Sequence, residues 1–453
     1  MFAADTICAV ATPAGKGGIS VIRLSGAKSA ELCERVSGFT PKPGSFRTAL
    51  FRDSVGNLID QGLILFFSTP HSFTGEDVCE FHTHGSPFVT DLLLTELVKL
   101  GARLARPGEF SERAFLNNKI DLAQAEAIAD LIASSSTMAA RYALRSLQGE
   151  FSRHINLLVS AITRLRVYIE ASLDFPEEEV DFLNSGRIAE KLIELQQQVN
   201  TVLIEARQGA VVKEGISVVI AGEPNAGKST LLNSLSGSDT AIVTDIPGTT
   251  RDLLRQEINL GGLPLHIIDT AGLRESTDPV EQEGIRRAKD AMASADRVLL
   301  IVDSSKFTTL QDENVWKQLR SIPDISPRLT LVINKIDLTN TNEGVTNIDG
   351  TPTIRISAKQ HLGLDLLRKH LQDCAGFNPG NEGGFIARRR HLDALMRAQT
   401  ALNNANEQLV IYRAGELVAE ELCNAQLALG EITGVVTADD LLGEIFGSFC
   451  IGK

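Results

Sequence analysis

The sequence of 453 residues contains only six cysteines, and no two of them form a Cys-x-x-Cys pair. Isolated cysteines argue against a disulfide framework and against a zinc site, and they are typical of reduced thiols. The longest apolar runs, such as VLLIVD and LTLVI, are far too short to cross a bilayer. The opening MFAADTICAVATPAG lacks the basic start and long apolar core of a signal peptide. We therefore expect a cytoplasmic protein with no membrane association.

An excess of positive charge is also absent. The chain has 44 Lys and Arg residues against 57 Asp and Glu residues, which gives a net charge of −13. A protein that coats nucleic acid without specificity is usually basic. If RNA is a substrate, a local basic patch or a partner protein must hold it.

The character of the sequence changes along the chain, which is too long for one ordinary domain. Residues 1–118 mix strand-like and helical segments, whereas residues 119–213 form long helices in which Leu158, Ile162, Leu165 and Ile169 share one face. Residues 214–373 alternate apolar runs with amphipathic helices, which is typical of βαβ units. Residues 374–453 are helical again. We predict a multidomain α/β and all-α protein, with an α/β nucleotide domain inserted into a helical domain.

The segment GEPNAGKST follows a strand-like run and opens a helix, and it matches Gly-x-x-x-x-Gly-Lys-[Ser/Thr]. Gly222 and Gly227 let such a loop wrap phosphates with backbone N–H groups. Lys228 would reach the β- and γ-phosphates, and the Ser229 hydroxyl would ligate Mg²⁺. A plain glycine-rich turn is the competing interpretation, and the strand–loop–helix context disfavours it.

The segment NKID, which ends a later strand, selects the base. Asp337 can accept hydrogen bonds from the N–H groups on guanine's Watson–Crick edge, where adenine offers no matching pair. Asn334 would hold the loop and the base edge, and the stem of Lys335 would cover the ring. The predicted partners elsewhere in the chain are the SAK residues Ser357, Ala358 and Lys359, the DTAG turn Asp269, Thr270, Ala271 and Gly272, and Thr250 in TDIPGTTRD. Together the motifs predict a GTPase that resembles translation-factor GTPases.

The residue that activates water is not evident from the motifs. Ras-like GTPases carry a glutamine directly after the glycine of DxxG, whereas this sequence has Leu273, which cannot orient water. An arginine finger is not marked out either, since Arg274 reads equally well as a solvated residue. The nearby acidic candidates for orienting water are Glu275, Asp278, Glu281 and Glu283.

Asn225 is an unusual member of the phosphate loop, because its side-chain carbonyl would face the α- and γ-phosphates. A monovalent cation at that point could supply the positive charge of the missing finger. Carbonyls of the TDIPGTT segment would complete the oxygen shell that hard cations prefer.

Seven segments together carry a family resemblance: GEPNAGKST, TDIPGTTRD, DTAGLRES, NKID, the N-terminal ICAVATPAGKGGISVIRLSG, RPGEFSERAFLNNKIDLAQAEAI and the final FCIGK. With them, the chain resembles the MnmE (TrmE) family of tRNA-modification GTPases. The resemblance runs from end to end. It implies a homodimer that joins the flavoprotein MnmG in a heterotetramer and modifies C5 of the wobble uridine of certain tRNAs. The added group would be aminomethyl or carboxymethylaminomethyl, and its one-carbon unit would come from 5-formyl- or methylene-tetrahydrofolate.

The resemblance also implies site residues. It places K⁺ on Asn225, Thr244, Ile246 and Thr249, Mg²⁺ on Ser229 and Thr250, and the water-positioning role on Glu281. Arg23, Glu80, Lys119 and Lys453 would bind folate, and residues 1–118 would be the folate-binding and dimerisation domain. The remaining implied nucleotide contacts are Ala226, Gly227, Lys228 and Thr230 in the first motif, and Asp245, Pro247 and Gly248 in the second. The resemblance implies a glycine-rich turn where this sequence has FHTHGS. The departure affects which contacts the residues near Glu80 make.

Two further features have less specific interpretations. His82 and His84 alternate on a strand-like segment, where structural histidines are commoner than metal ligands. The run RRRH from Arg388 to His391 is expected to be a solvated helix start unless RNA lies there.

The final CIGK has three interpretations: a lipidation signal, a frayed end, or a segment that reaches an active site. Gly452 and Lys453 do not suit a prenylation box. The apolar residues before them favour docking over fraying. We expect Cys450 to be a reactive or positioning thiol, with Lys453 beside the folate.

The competing function is a regulatory or ribosome-assembly GTPase switch that modifies nothing. Such a switch would need neither the N-terminal domain nor the final segment.

Overall fold

The computed structural model describes residues 5–174, 187–236, 255–269, 290–307, 322, 324–380, 383–436 and 439–452. Within it the chain forms two compact units. The first unit comprises Met1–Ala129, Ser146–Leu195 and Arg397–Lys453, and the second comprises Asp130–Arg145 and Gln196–Met396. The predicted mixture of α/β and all-α regions is confirmed. The second unit includes sequence on both sides of residues 214–373, and the predicted domain boundaries stay predictions.

The first unit contains a six-stranded sheet with the order β3-β4-β5-β2-β1-β6. All neighbours are antiparallel except β1 and β6, which are parallel. The strands are β1 (Ile7–Val10), β2 (Gly17–Ser25), β3 (Phe46–Arg52), β4 (Leu58–Phe67), β5 (Val78–Gly85) and β6 (Arg103–Leu104). Alternate residues of β2 and β5 face a core that includes Ile22, Leu24, Phe51 and Phe81, as a period of two requires. The strand-like segments predicted within residues 1–118 are therefore confirmed.

Twelve α-helices lie in the described parts of the chain. They are α1 (Ser29–Ser37), α2 (Pro87–Lys99), α3 (Glu109–Leu116), α4 (Leu122–Ile132), α5 (Thr137–Leu147), α6 (Glu150–Asp174), α7 (Arg187–Glu214), α8 (Lys228–Ser236), α9 (Leu364–Cys374), α10 (Arg389–Glu407), α11 (Gly415–Thr433) and α12 (Asp439–Gly447). The four residues predicted to share one face of α6 are all buried. Among the described residues, no helix is both long and apolar enough to span a bilayer.

The second unit is built on a seven-stranded sheet with the order β12-β13-β11-β10-β7-β9-β8. Its strands are β7 (Ile216–Gly222), β8 (Arg255–Leu260), β9 (Leu263–Asp269), β10 (Arg297–Asp303), β11 (Leu329–Asn334), β12 (Gly344–Ile348) and β13 (Thr351–Arg355). The five central strands are parallel, and the two edge strands are antiparallel to their neighbours. The predicted βαβ pattern is confirmed, since β7 and β10 are apolar along nearly their whole length and are buried on both faces.

Parallel pairing places the ends of four strands at one edge of this sheet. Gly222 on β7 pairs with Ile301 on β10, Asp303 pairs with Asn334 on β11, and Ile220 pairs with Asp269 on β9. The chain leaves β7 between β10 and β9, where the strand order changes direction. Ligands of open α/β sheets bind at such a point, beyond the carboxyl ends of the strands.

Candidate nucleotide-binding site

The phosphate loop connects the end of β7 to the first residue of α8. Gly227 has a φ of +98°, which L side chains rarely adopt, and a Cβ there would collide with the side-chain amide of Asn334. Asn225 also has positive φ, +66°, and its side chain is exposed. The loop leads directly into the N-terminus of α8, and the N-terminus of a helix favours an anion.

The side chain of Lys228 bridges the phosphate loop by hydrogen bonds to two of its carbonyl oxygens. Its Nζ donates to the carbonyl oxygens of Gly222 at 2.8 Å and Glu223 at 3.0 Å. The next two residues, Ser229 and Thr230, are exposed at the start of α8. An ammonium group at the mouth of the loop, followed by an exposed hydroxyl, is the arrangement that a magnesium–nucleotide complex requires.

Asn334 ties the phosphate loop to the predicted base-recognition loops. Its side chain is 2% exposed. Its Nδ2 donates to the carbonyl oxygen of Ala226 at 2.9 Å, and its Oδ1 accepts from the backbone N–H of Ala358 at 3.0 Å. The Ser234 hydroxyl on α8 donates to the carbonyl oxygen of Ala358 at 2.8 Å. One buried amide thus fixes the GEPNAGKST and SAK segments in a common frame, as the sequence predicted only in outline.

Hydrogen bonds through Ser357 fix the orientation of the Asp337 carboxylate. The Ser357 hydroxyl donates to Asp337 Oδ1 at 2.6 Å and accepts from the backbone N–H of Gln360 at 3.2 Å. Lys359 is exposed beside it. The structure therefore brings together the NKID and SAK residues that the sequence assigned to guanine.

Lys335 forms an ion pair that no sequence motif indicated. Its Nζ lies 2.7 Å from Oδ2 of Asp303, the last residue of β10. Burial raises the pKa of Asp303, but hydrogen bonds from Lys335 and Ser305 outweigh that effect and hold its pKa below the ordinary value. In the sequence, Asp303 is only a single carboxylate at the end of an apolar run. Many strands end in this way, so the sequence did not mark Asp303 as a partner of Lys335.

Several predicted residues lie outside the described residues. They are Thr244, Asp245, Ile246, Pro247, Gly248, Thr249, Thr250, Thr270, Ala271, Gly272, Glu281 and Lys453. Asp269 ends β9 at the nucleotide edge of the sheet, and its side chain is likewise not described.

The first unit brings together two of the four predicted folate residues. Arg23 on β2 and Glu80 on β5 are register partners, and Arg23 Nε donates to Glu80 Oε1 at 2.8 Å. The Arg23 guanidinium also lies 5.5 Å from the ring centre of Phe73 and 5.7 Å from that of Phe110. Lys119 is exposed, and its Nζ donates to the carbonyl oxygen of Pro70 at 2.8 Å.

The first unit also contains a network of charged side chains that no sequence motif indicated. Glu109 is 3% exposed. It accepts hydrogen bonds from Arg103 at 2.6 Å, from the backbone N–H of Arg106 at 2.7 Å and from Arg113 at 3.2 Å. Burial raises the pKa of Glu109, but these donors outweigh it and lower the pKa below its usual range. Arg113 Nη2 also donates to Asp5 Oδ1 at 2.8 Å, and no local pattern could have revealed this contact because Asp5 lies 108 residues away in the sequence.

The end of the sequence packs within the first unit as far as its last described residue, Gly452. Phe446 and Phe449 are buried beside Phe115 and Leu122. The Cys450 carbonyl oxygen accepts from the backbone N–H of Gly108 at 3.3 Å, while Cys450 itself is exposed. Gly452 is buried at φ +91°, and a Cβ there would collide with the carbonyl oxygen of Val10 on β1.

The two histidines of FHTHGS contact carboxylates. His84 Nδ1 lies 2.8 Å from Asp60 Oδ1, and His82 Nε2 lies 3.5 Å from Glu80 Oε2. Among the described residues, no group of three or more His, Cys, Asp and Glu side chains could hold a metal ion.

The prediction of a solvated helix start at RRRH is wrong for Arg388 and His391. Arg388 Nη2 donates to Asp130 Oδ1 at 2.8 Å, and that oxygen also lies 3.1 Å from Lys213 Nζ. His391 is 2% exposed, and its Nδ1 accepts from the backbone N–H of Arg388 at 3.1 Å. Asp130 is far away in the sequence, so the charge run alone could not show that it has a buried partner.

Comparison with known proteins covers the whole chain. Residues 6–119 match the family described as GTP-binding protein TrmE N-terminus, and residues 122–450 match the MnmE helical domain. A protein of Coxiella burnetii named tRNA modification GTPase MnmE is 56% identical over 449 residues, which are 99% of each chain. The protein of that name from Marinomonas is 54% identical and covers 99% of this chain and 98% of its own. A crystal structure of Aquifex aeolicus Era is 25% identical over 41% of this chain and 66% of its own, with a TM-score of 0.28, which is too low to carry an argument about the fold.

Proposed function

The chain belongs to the MnmE family of tRNA modification GTPases, and we propose that it binds and hydrolyses GTP in the modification of tRNA. The Asn334 side chain carries the proposal, because it locks the phosphate loop and the guanine-recognition loops into one frame. A glycine-rich turn without a nucleotide role would not need a buried amide bonded to both.

The chain's own residues account for GTP binding. Backbone N–H groups of the loop, the helix N-terminus and Lys228 receive the phosphates, and Asp337 receives the two N–H donors of guanine. Ser229 is exposed where a phosphate-bound Mg²⁺ would need an oxygen ligand, and Thr250 is the proposed second ligand. Mg²⁺ would neutralise charge that develops on the phosphates during transfer to water.

We also propose the finer chemistry that the family resemblance implied. Together with a flavoprotein of the MnmG type, in a heterotetramer, the protein would modify C5 of the wobble uridine of certain tRNAs in the cytoplasm. The net charge of −13 supports a role for the partner in holding RNA.

Nucleoside analysis of tRNA tests this function. Cells that lack the protein should lose the aminomethyl-type substituents at the wobble uridine, and the wild-type gene should restore them. Unchanged wobble uridines in the deletion strain would favour the alternative of a regulatory or ribosome-assembly GTPase.

Binding of folate to the first unit is the proposed source of the one-carbon unit. The Arg23–Glu80 pair supports it, since a pterin edge donates to a carboxylate and glutamyl carboxylates pair with arginine and lysine. The partly exposed ring of Phe73, beside Arg23, offers an apolar surface for a pterin. Lys119 and Lys453 are the further proposed contacts, and a homodimer through this unit is the proposed assembly.

A potassium ion is the proposed substitute for an arginine finger, with Asn225, Thr244, Ile246 and Thr249 as ligands. The exposed Asn225 side chain at the rim of the phosphate loop supports the first of these. We expect GTP turnover to be faster in K⁺ than in Na⁺ by about tenfold or more, because a finger charge stabilises the transition state. Asn225→Ala should remove the difference. Equal turnover of the wild type in the two salts would refute the cation role.

Glu281 is the proposed residue that orients water, in place of the glutamine that Leu273 replaces. Glu281→Ala should lower kcat for GTP hydrolysis by about 100-fold or more, because positioning of the attacking water would be lost. The Kd for a GTP analogue should stay within about twofold of the wild type, since no binding contact is removed. Equal loss of binding would show that the variant is misfolded, and unchanged kcat would show that another residue orients the water.

A further inference from the structure

We propose that Asp303 is a positioning residue for guanine binding, which acts by fixing the side chain of Lys335. The inference rests on the proposed GTP site and adds a residue outside its sequence motifs. Asp303 ends β10, and its register partner on β11 is Asn334, the residue directly before Lys335. The carboxylate therefore lies beside the start of the NKID loop at the nucleotide edge of the sheet.

Both oxygens of the Asp303 carboxylate are used. Oδ2 accepts from Lys335 Nζ at 2.7 Å, and Oδ1 accepts from the Ser305 hydroxyl at 2.7 Å and its backbone N–H at 3.0 Å. The Asp303 side chain is 13% exposed and the Lys335 side chain is 30% exposed. A short, half-buried ion pair of this kind restricts a lysine that would otherwise sample many rotamers.

The residue after Asp303 holds the backbone of the same loop. The Ser304 backbone N–H donates to the carbonyl oxygen of Asn334 at 2.8 Å, and the Ser304 hydroxyl donates to that of Lys335 at 2.8 Å. Lys335 itself has a φ of +66°, a conformation that needs such support in a non-glycine residue. The backbone and the ammonium of Lys335 are thus both fixed by the DSS residues at the end of β10.

A fixed Lys335 has a specific use in this site. Its four-carbon stem is the part proposed to cover the guanine ring, and Asp303 holds the far end of that stem. The wall is therefore formed before the base arrives, so binding loses less side-chain entropy. Because a stem packs on the ring face, it does not read the exocyclic groups that Asp337 reads.

The test is a double-mutant cycle between Asp303→Asn and Lys335→Met. Asparagine keeps an oxygen for Ser305 but no longer carries a charge for Lys335, and methionine keeps an apolar stem without the ammonium. Asp303→Asn should raise the Kd for a fluorescent GDP analogue and the KM for GTP by about tenfold, with kcat changed less than twofold. In the Lys335→Met background the same change should have no further effect.

Asp296→Asn is the matched control. Asp296 directly precedes β10 at its opposite end, where its Oδ2 accepts from the Ser217 backbone N–H at 2.8 Å and the Ser217 hydroxyl at 2.7 Å. This variant should lower the melting temperature about as much as Asp303→Asn and leave the Kd for nucleotide unchanged. Affinities for GTP and ITP should fall by the same factor in Asp303→Asn, because the lost contact is to the ring face.

The outcomes separate this proposal from the function on which it rests. A wild-type protein that does not bind the GDP analogue would overturn the proposed GTPase function. A wild type that binds, with Asp303→Asn binding equally well or with additive effects in the cycle, would overturn only the positioning role of Asp303.

Discussion

Gly227→Ala is expected to weaken GTP binding by about 100-fold. A non-glycine residue at φ +98° costs about 1–2 kcal/mol. The new methyl group would also push the Asn334 amide from its place, which costs about 1–3 kcal/mol for disrupted buried hydrogen bonds. Since about 1.4 kcal/mol is a factor of ten, these effects together give the expected loss. Titration of a fluorescent GDP analogue measures it.

The matched control is Gly344→Ala in the same unit. An added Cβ at Gly344 on β12 meets nothing within 4 Å, and the residue has no positive φ. This variant should bind nucleotide as the wild type does. Wild-type affinity in Gly227→Ala would show that Asn334 does not hold the phosphate loop as proposed.

Deletion of residues 450–453 is expected to abolish tRNA modification while GTP hydrolysis stays within about twofold of the wild type. Gly452 lies against the carbonyl of Val10, and the preceding residue of that strand, Ala9, is the register partner of Arg23. The segment thus reaches the strand next to the proposed folate pair. Nucleoside analysis of tRNA measures modification, and equilibrium binding of 5-formyltetrahydrofolate to the purified protein reports on the folate site.

Two substitutions separate docking of this segment from the chemistry of the thiol. Gly452→Val keeps Cys450 but puts a branched side chain where a Cβ already collides with Val10, so it should behave as the deletion does. Cys450→Ser keeps the docking and removes the thiol. If the deletion variant still modifies tRNA, residues 450–453 have no part in the reaction. If Cys450→Ser modifies tRNA while the deletion and Gly452→Val do not, the segment has a structural role and the thiol has no chemical one.

Local patterns were sufficient to predict the strands and the segments that meet at the nucleotide edge of the sheet. Each of the motifs GEPNAGKST, NKID and SAK lies at the end of a buried apolar strand. Parallel pairing of these strands brings the three motifs to one edge of the sheet. The roles predicted for Asn334 and Asp337 rest on side-chain chemistry alone and stay predictions. The Ser357 bond to Asp337 could not be predicted, because its geometry depends on the turn between β13 and α9.

Contacts between residues that are far apart in the sequence were not predictable from any window. Arg113 reads as an ordinary helical arginine, yet it donates to Asp5, which lies 108 residues earlier in the sequence. Arg388 reads as solvated for the same reason, because its partner Asp130 lies 258 residues earlier in the sequence. Asp303 becomes distinctive only when its register with Asn334 is known.

The composition of the second unit has a consequence for the order of events during synthesis. Its apolar core includes Ala139 and Tyr142, which precede the phosphate loop, and Ile386, which follows the last strand. A ribosome makes a chain from its N-terminus, and domains fold as units when their parts have emerged. The nucleotide motifs would all be outside the ribosome before Ile386 arrives. The apolar core of this unit can therefore be completed only once Ile386 has emerged, after every strand of its sheet and every nucleotide motif.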